Sequence, residues 1–408
     1  MSDQQREFDV IVYGASGFVG ALVARHLAAN APQGARIAIA GRSAERLERL
    51  GLDLPIVVAD AHDVPALTTM AGRTRVVLTT VGPYAKFGKP LARACAETGT
   101  DYVDLTGEVL FARDSIDENH EIARRTGARI VHSCGFDSIP SDIGVHVLHE
   151  LVRADGAGEL TDTTLVVTSM RGGISGGTID SMRHQIDVMK NDRGLRRIAA
   201  SPYSLSPDRE SEPDLGRQPD MLTLAGSEVD PSLRGHLAPF VMASYNTRVV
   251  RRSNALRGWA YGRDFRYREV LSVGTSPAAP VIARVTKAVL SGLVLGFAVP
   301  PVRFVLDRLL PAPGTGPDER TRRNGHFTVD IFGVTTTGAR YRARVKAQGD
   351  PGYAATTVML SESALALALD RDLLPDSGGG VLTPATAIGD ALVTRLRAAG
   401  LEVTARKA

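Results

Sequence analysis

The chain has 408 residues, is 43% hydrophobic and 23% charged, and carries a formal net charge of +3. That length exceeds one ordinary domain and can bury a sizeable core, whereas so small a charge excludes an electrostatic case for a nucleic-acid partner. Two cysteines, Cys95 and Cys134, cannot build a disulfide framework and suit a reducing cytoplasm. The polar start MSDQQREFDV runs straight into an apolar stretch, so no signal peptide is expected.

The first element is an apolar run, Val10-Ile11-Val12, that reads as a buried strand. A glycine turn follows, Gly14-Ala15-Ser16-Gly17-Phe18-Val19-Gly20, and Phe18–Asn30 carries a helical pattern. Strand, glycine turn and helix are the parts of a dinucleotide site. Gly14 makes the tight turn, Gly17 admits a pyrophosphate, and Gly20 lets the helix pack close. The helix N-terminus then faces the phosphates. A tight turn with no ligand is the plain alternative.

From there to Cys134 the pattern alternates strands and helices. Strands are expected at Arg36–Ala40, Ile56–Ala59, Val76–Thr80, Tyr102–Leu105 and Arg129–His132. Helices are expected near Ala44–Leu50, Val64–Met70, Lys89–Glu97 and Ser115–Arg125. This predicts an α/β, Rossmann-like doubly wound parallel sheet with its ligand across the carboxyl ends of the strands. The loop after the second strand holds Arg42 and Ser43 and no acidic residue, which suits the 2′-phosphate of NADP. An exposed arginine with no ligand is the other reading. Asp60 stands where side chains flank an adenine, or is an ordinary loop aspartate. After the fourth strand, Thr80-Val81-Gly82-Pro83 can lie along the nicotinamide half. Tyr84 and Lys86 form a candidate proton donor and its neighbour. The fifth strand ends in Asp104-Leu105-Thr106-Gly107-Glu108, polar groups at the cofactor edge. Beyond the sixth, Asp137 and Ser138 precede Pro140, either as caps of the next helix or as catalytic groups.

The motifs VYGASGFVG, AGRS, LTTVGPY, YVDLTGE and CGFDSIPSD, in this order, resemble those of the saccharopine-dehydrogenase-like reductases. Later segments resemble a narrower group, the trans-acting enoyl reductases of polyketide-derived lipid synthesis. These are YNTRVVRRSNAL, WAYGRDFRY, PAPGTGP, TTTGARYRA, LALALDRD and GVLTPA. The resemblance spans nearly the whole chain. It implies an N-terminal Rossmann domain, an NADPH-dependent reductase and a lipid-like or acyl-derived substrate, and it carries over no proton donor.

Beyond Leu151 the alternation stops. Thr163–Ser169 reads as a strand, followed by a glycine turn from Gly172 to Gly177 and a helix to about Lys190. Residues 201–237 read as a long surface loop. Arg248–Arg252 and Phe265–Arg268 read as strands, and His326–Phe332 with Arg340–Val345 as a hairpin, giving a mixed α+β domain with a largely antiparallel sheet. Arg248, Arg251 and Arg252 are read either as a solvated sheet face or as partners of an acidic substrate. Ala288–Val302 is uncharged, ends at Pro300-Pro301 and falls short of the ~20 residues a spanning helix needs. It is a core helix, a homodimer contact or an element dipping into a membrane surface. Tyr353–Asp370 and Ala385–Leu396 read as helices and Leu401–Thr404 as a strand. The domains expected are 1–150 for NADP, 151–375 for substrate and dimerisation, and 376–408 returning to the first.

The function expected is hydride transfer from NADPH to an activated C=C of a lipid or polyketide-derived intermediate, in the cytoplasm or peripherally at its membrane. Tyr84, Lys86, Asp137 and Ser138 are the candidate catalytic groups. The alternatives are a saccharopine-type amino-acid dehydrogenase, which needs cations facing carboxylates, and a non-catalytic membrane-associated NADP-binding protein. No zinc-type His/Cys spacing and no GxSxG occur, so metal or serine hydrolysis has no support.

Overall fold

The valine- and isoleucine-rich run Phe8–Tyr13 forms β1 and is buried at every residue, as a strand covered on both faces must be. It opens the alternation α1 (Phe18–Asn30), β2 (Ile37–Gly41), α2 (Ala44–Glu48), β3 (Ile56–Val58), α3 (Val64–Gly72), β4 (Thr74–Thr79), α4 (Tyr84–Thr98), β5 (Asp101–Val103), α5 (Val109–Thr126), β6 (Arg129–Val131) and α6 (Ile139–Ala154). These strands pair in parallel in the order β6-β5-β4-β1-β2-β3, and the direction of winding reverses between β1 and β4. The structure, a computed structural model, describes residues 6–172, 176–190, 192–298 and 316–408.

Two helices start earlier than their apolar periodicity indicates: α4 at Tyr84 rather than Lys89, and α5 at Val109 rather than Ser115. Their first turns are held by side chains from elsewhere in the fold, which leave no periodic signature. For α4 the cap comes from Glu108, described below.

The second half runs β7 (Leu160–Arg171), α7 (Gly176–Lys190), α8 (Arg193–Ala200), β8 (Leu224–Ala225), β9 (His236–Pro239), α9 (Ala243–Leu256), β10 (Arg266–Ser272), α10 (Ala279–Ala298), α11 (Glu319–Arg323), β11 (His326–Thr335), β12 (Arg340–Gln348), α12 (Thr356–Leu369), β13 (Gly380–Leu382), α13 (Pro384–Ala387), α14 (Asp390–Ala398) and β14 (Glu402–Lys407). The second sheet has the order β14-β12-β11-β7-β10-β9-β8 and is antiparallel except for the β7–β10 pair. The expected α/β architecture with a second, mixed sheet is observed.

Three expectations are corrected. Arg248–Arg252 is not a strand but the middle of α9, and its arginines are neither solvated nor turned to a substrate. Arg248, Arg251 and Arg252 are only 3%, 3% and 2% exposed. Arg248 pairs with Asp220 at 2.5 Å, Arg251 donates to the Tyr267 carbonyl at 2.8 Å, and Arg252 donates to the Leu205 and Val381 carbonyls at 2.5 Å each. Two valines flanked by arginines mimic alternation, yet on a helix the arginines anchor the irregular segment 201–237, which supplies several of their acceptors. Second, Ala385–Leu396 is broken at Gly389, whose φ is 54°, into α13 and α14. Third, the last strand does not return to the parallel sheet: β14 pairs with β12, and β13 instead joins β6 to extend that sheet. The helix that covers the parallel sheet is α12, packed on α1, β1, β4 and β5. Together with the preceding turn, α12 is apolar and long enough to cross a membrane, but most of it is buried core.

Of Ala288–Val302, the residues from 299 onward lie outside the described residues, as does most of PAPGTGP. The described end of α10 packs on α7 through Leu293 and Phe297, against Ile179, Met182 and Ile186. Nearer its start, Val281, Ile282, Val285 and Val289 remain 58%, 44%, 54% and 60% exposed. The opposite face of this part is covered, with Ala279 and Ala283 buried and the helix packed on β9, so the core-helix reading holds for one face of α10 and not for the other.

Candidate active site

The glycine turn leaves β1 where the sheet reverses, and its glycines are needed for steric reasons. Gly14 has φ +86°, and a Cβ there would lie 2.6 Å from the Val81 side chain. A Cβ on Gly20 would lie 2.1 Å from the Gly14 carbonyl oxygen, so only glycine lets α1 pack this close. Gly17 caps α1 with extended backbone and meets no atom nearer than 3.3 Å, so its open side stays available to a ligand. Above this turn lies a cleft of about 630 Å³, walled by the strand ends, α7, the start of α9 and the start of α12. A glycine cradle that a Cβ would fill, below a helix N-terminus with no side-chain cap, fits a dinucleotide pyrophosphate.

At the β2–β3 end the lining includes Gly41, Arg42, Arg46, Asp60 and His62. Arg42 and Arg46 are exposed and make no ion pair among the described residues, so both guanidinium groups are free for an anion. Ser43 does not line the cleft. Its hydroxyl accepts the Arg46 N–H at 3.4 Å and caps α2. Asp60 accepts the His62 N–H at 2.9 Å and still faces the cleft. Ala15 is buried behind the turn, donating to the Ala40 carbonyl, while Ser16 and Phe18 line the cleft. Thr80, Val81, Gly82 and Pro83 line it further along.

The β4–β6 end separates the four candidate catalytic residues. Lys86 is exposed on the first turn of α4, outside the cleft; positions two apart on a helix do not face each other, so it is no neighbour of the Tyr84 hydroxyl. Tyr84 lines the cleft, but its hydroxyl donates to the Thr79 carbonyl at 3.3 Å and accepts the Leu105 N–H at 3.1 Å. Burial beside the Asp104 carboxylate pushes its phenol well above the usual range, and both of its hydrogen bonds go to backbone groups of the loops it braces. Ser138 is fully buried and donates to Asn246 Oδ1 at 3.0 Å; it stands at the α6 N-cap position without capping it. Asn246 in turn donates to Glu269 at 2.9 Å.

Asp137 is different. It lines the cleft, and no hydrogen bond satisfies its carboxyl among the described residues. Burial, helped by the nearby Asp104 carboxylate, pushes it up to about 7. It is a carboxylic acid that titrates near neutrality on a cavity wall, the pattern of a general acid. The same cleft is lined by Leu105, Phe136, Met182, Val241, Met242 and Tyr245, none of which the sequence marked as a site residue. Most of these come from α7 and the approach to α9, far away in sequence. Only Arg46, one helical turn beyond Arg42, had a local signal.

Behind the wall lies a buried polar frame. Asp104 accepts from the Thr106 and Ser133 N–H groups at 3.0 and 2.9 Å, the Tyr102 hydroxyl at 2.9 Å and His132 Nδ1 at 2.7 Å. His132 Nε2 lies 2.9 Å from Ser115 Oγ. Acid, imidazole and hydroxyl in this order mimic a hydrolase relay, but Ser115 is 3% exposed and does not line the cleft, so the trio is scaffold. The Ser133 hydroxyl donates to the Thr106 carbonyl at 2.6 Å, so the Tyr245 hydroxyl, 2.5 Å away, must donate to Ser133.

Comparison with known proteins places the fold and the cofactor class. Residues 10–131 match the saccharopine dehydrogenase NADP binding domain. Among solved structures, yeast saccharopine dehydrogenase (L-Glu forming) superposes with a TM-score of 0.55 at 14% identity, covering 98% of this chain and 100% of that one. Homospermidine synthase from Legionella pneumophila, in complex with NAD, gives 0.54 at 10% identity, covering 99% and 93%. At such identities the likeness is one of fold. In sequence, a putative trans-acting enoyl reductase of Mycobacterium tuberculosis is 52% identical, over 99% of this chain and 98% of its own length. A trans-acting enoyl reductase of Mycobacterium ulcerans is 49% identical over the full length of both chains. On this identity and coverage, the chain belongs to the trans-acting enoyl reductase family, a group of NADP-dependent oxidoreductases.

Proposed function

We propose that this protein uses NADPH to reduce the activated C=C bond of an acyl or polyketide-derived lipid intermediate. The observation that carries the reading is a cleft wall that combines Asp137, a carboxyl that titrates at about 7, with the apolar side chains of Leu105, Phe136, Met182, Val241 and Met242, and with Asp180 of α7 as a further lining carboxyl. The names of the relatives supply the reaction class. Gly14, Ser16, Gly17 and the start of α1 would hold the pyrophosphate, Arg42 and Arg46 the 2′-phosphate, and Thr80–Pro83 the nicotinamide half. When bound, the dinucleotide supplies the hydride. Asp137 holds a proton on a carboxyl oxygen near neutrality and gives it to the carbon beside the carbonyl. Leu105, Phe136, Met182, Val241 and Met242 keep water from that proton and seat an apolar chain.

A saccharopine-type substrate needs cations beside the reacting centre. Among the described lining residues the only arginines or lysines are Arg42 and Arg46, at the end of β2. The order β6-β5-β4-β1-β2 puts four strand spacings, roughly 19 Å, between β2 and the β6 end that carries Asp137. That distance suits the two ends of a dinucleotide and not one amino acid. For location, we propose a cytoplasmic enzyme that touches an anionic membrane through α10, whose exposed valines alternate with Arg284 and Lys287 and which contains no acidic residue. A homodimer contact is the competing use of that face.

The reaction is tested with NADPH and a trans-2-enoyl N-acetylcysteamine thioester, following NADPH absorbance and the saturated product. Tight NADPH binding with no turnover of any enoyl thioester would sink the reaction and leave the non-catalytic reading.

A further inference from the structure

Glu108 is fully buried, yet no arginine or lysine touches it among the described residues. Its partners are three donors from two parts of the fold. Oε1 accepts the Tyr84 N–H at 2.9 Å and Oε2 the Ala85 N–H at 2.9 Å, the first two amides of α4. The helix has no cap of its own, since Pro83 occupies the N-cap position, so a carboxylate supplied from after β5 satisfies its orphan donors and faces its positive end. The third donor is the Ser181 hydroxyl of α7, which reaches Oε1 at 2.7 Å. One turn along α7, Gln185 accepts the Val109 N–H at 3.2 Å and donates to the Gly107 carbonyl at 3.4 Å. Ser181, Gln185, Tyr84 and Gly107 all line the cleft, while Glu108 does not.

We propose that Glu108 is a positioning residue that sets the register between the two halves of the active site. Through Tyr84 and Ala85 it fixes the Thr80–Pro83 loop against the nicotinamide half of the cofactor. Through Ser181 it fixes α7, the wall that carries Met182 against the substrate. One carboxylate thus couples the cofactor side to the substrate side, and this rests on the reductase reading only for the identity of the substrate. The two arms are separable. Removing the Ser181 hydroxyl loosens α7, which Gln185 still ties to Gly107 and Val109, and leaves the α4 start intact, whereas Glu108→Gln, which swaps an acceptor oxygen for a donor NH₂, disturbs the α4 start as well.

The test compares Ser181→Ala, Ser181→Thr and Glu108→Gln in the full-length protein. NADPH binding is read by fluorescence, and KM and kcat with a trans-2-enoyl N-acetylcysteamine thioester. Ser181→Ala is expected to raise the thioester KM severalfold with NADPH binding unchanged, and Ser181→Thr to restore it. Glu108→Gln is expected to weaken NADPH binding as well and to make any added Ser181→Ala silent. Hydrogen exchange needs no substrate and keeps the inference separate from the reaction: Glu108→Gln should speed exchange in the 80–87 segment and in α7 together, and Ser181→Ala in α7 alone. Unchanged exchange and NADPH binding in Glu108→Gln would overturn the proposal. So would equal KM values for the alanine and threonine variants, or strictly additive effects of the two sites.

Discussion

Asp137 owes its chemistry to position. Burial and the Asp104 carboxylate hold it at about 7, so its acid form prevails below that value and is lost above it. Reduction is therefore expected to slow as pH rises through about 7, and Asp137→Asn to flatten that profile while lowering kcat by ~10²–10⁴-fold, with NADPH binding preserved. A steady-state pH profile of both proteins checks this; an unchanged profile in the variant would move the donor elsewhere. At the other end of the cleft, Arg42→Ala and Arg46→Ala should each raise the NADPH dissociation constant far more than the NADH one. Equal effects on both cofactors would refute a 2′-phosphate site. The glycine turn, and the place of Arg42 on the cleft wall, could be read from the sequence because a tight turn and a strand-end loop are each set by local residues. Lys86 misled because its relation to Tyr84 depends on where α4 begins, which a distant carboxylate decides.

Among the elements, α9 departs furthest from its sequence pattern. Its arginines serve as internal donors, to the irregular 201–237 segment and to carbonyls of β10 and β13, and Arg252 joins that segment to β13 of the parallel sheet. Burial, helped by the nearby Arg209 guanidinium and only partly opposed by the Asp117 carboxylate, pushes its guanidinium down to about 9. Arg252→Met keeps much of the packing volume but orphans the Leu205 and Val381 carbonyls, at a cost of about 1–3 kcal/mol for each. A lower urea midpoint with an unchanged slope is the expected outcome, and an unshifted midpoint would mean that water replaces the side chain. Pattern reading fails here because periodicity reports which positions are apolar, and a buried arginine is counted as polar. The same limit hid the starts of α4 and α5.

At the scale of the molecule, α10 is the element whose partner is open. Four of its valine and isoleucine side chains stay exposed while its far end packs on α7, whose Met182 reaches the cleft. The protein is expected to co-float with vesicles of phosphatidylglycerol and phosphatidylcholine but not with phosphatidylcholine alone, and a Val285→Asp, Val289→Asp double variant to lose that binding. Failure of the unmodified protein to float, with a dimer in solution that the same substitutions break, would assign the face to a second copy.

The sequence by itself determined the parallel sheet, the glycine turn, the preference for NADP and the presence of a second, mixed sheet. Each depends on short-range constraints: an unbroken apolar run needs cover on both faces, a left-handed turn needs glycine, and a phosphate needs a cation close by in the chain. Only the tertiary structure decided which acid is free to titrate and where the last strands go. Among the described residues Asp137 differs from Ser138 and Tyr84 in lacking a hydrogen-bond partner, and partners come from segments up to more than a hundred residues away, such as Asn246 for Ser138. Likewise β13 and β14 are both short, and which sheet edge each completes depends on the break at Gly389 and on the edges left open by strands folded elsewhere. Local composition can specify an element, but a pKa or a strand neighbour is a property of the surroundings, and these exist only once the chain is folded.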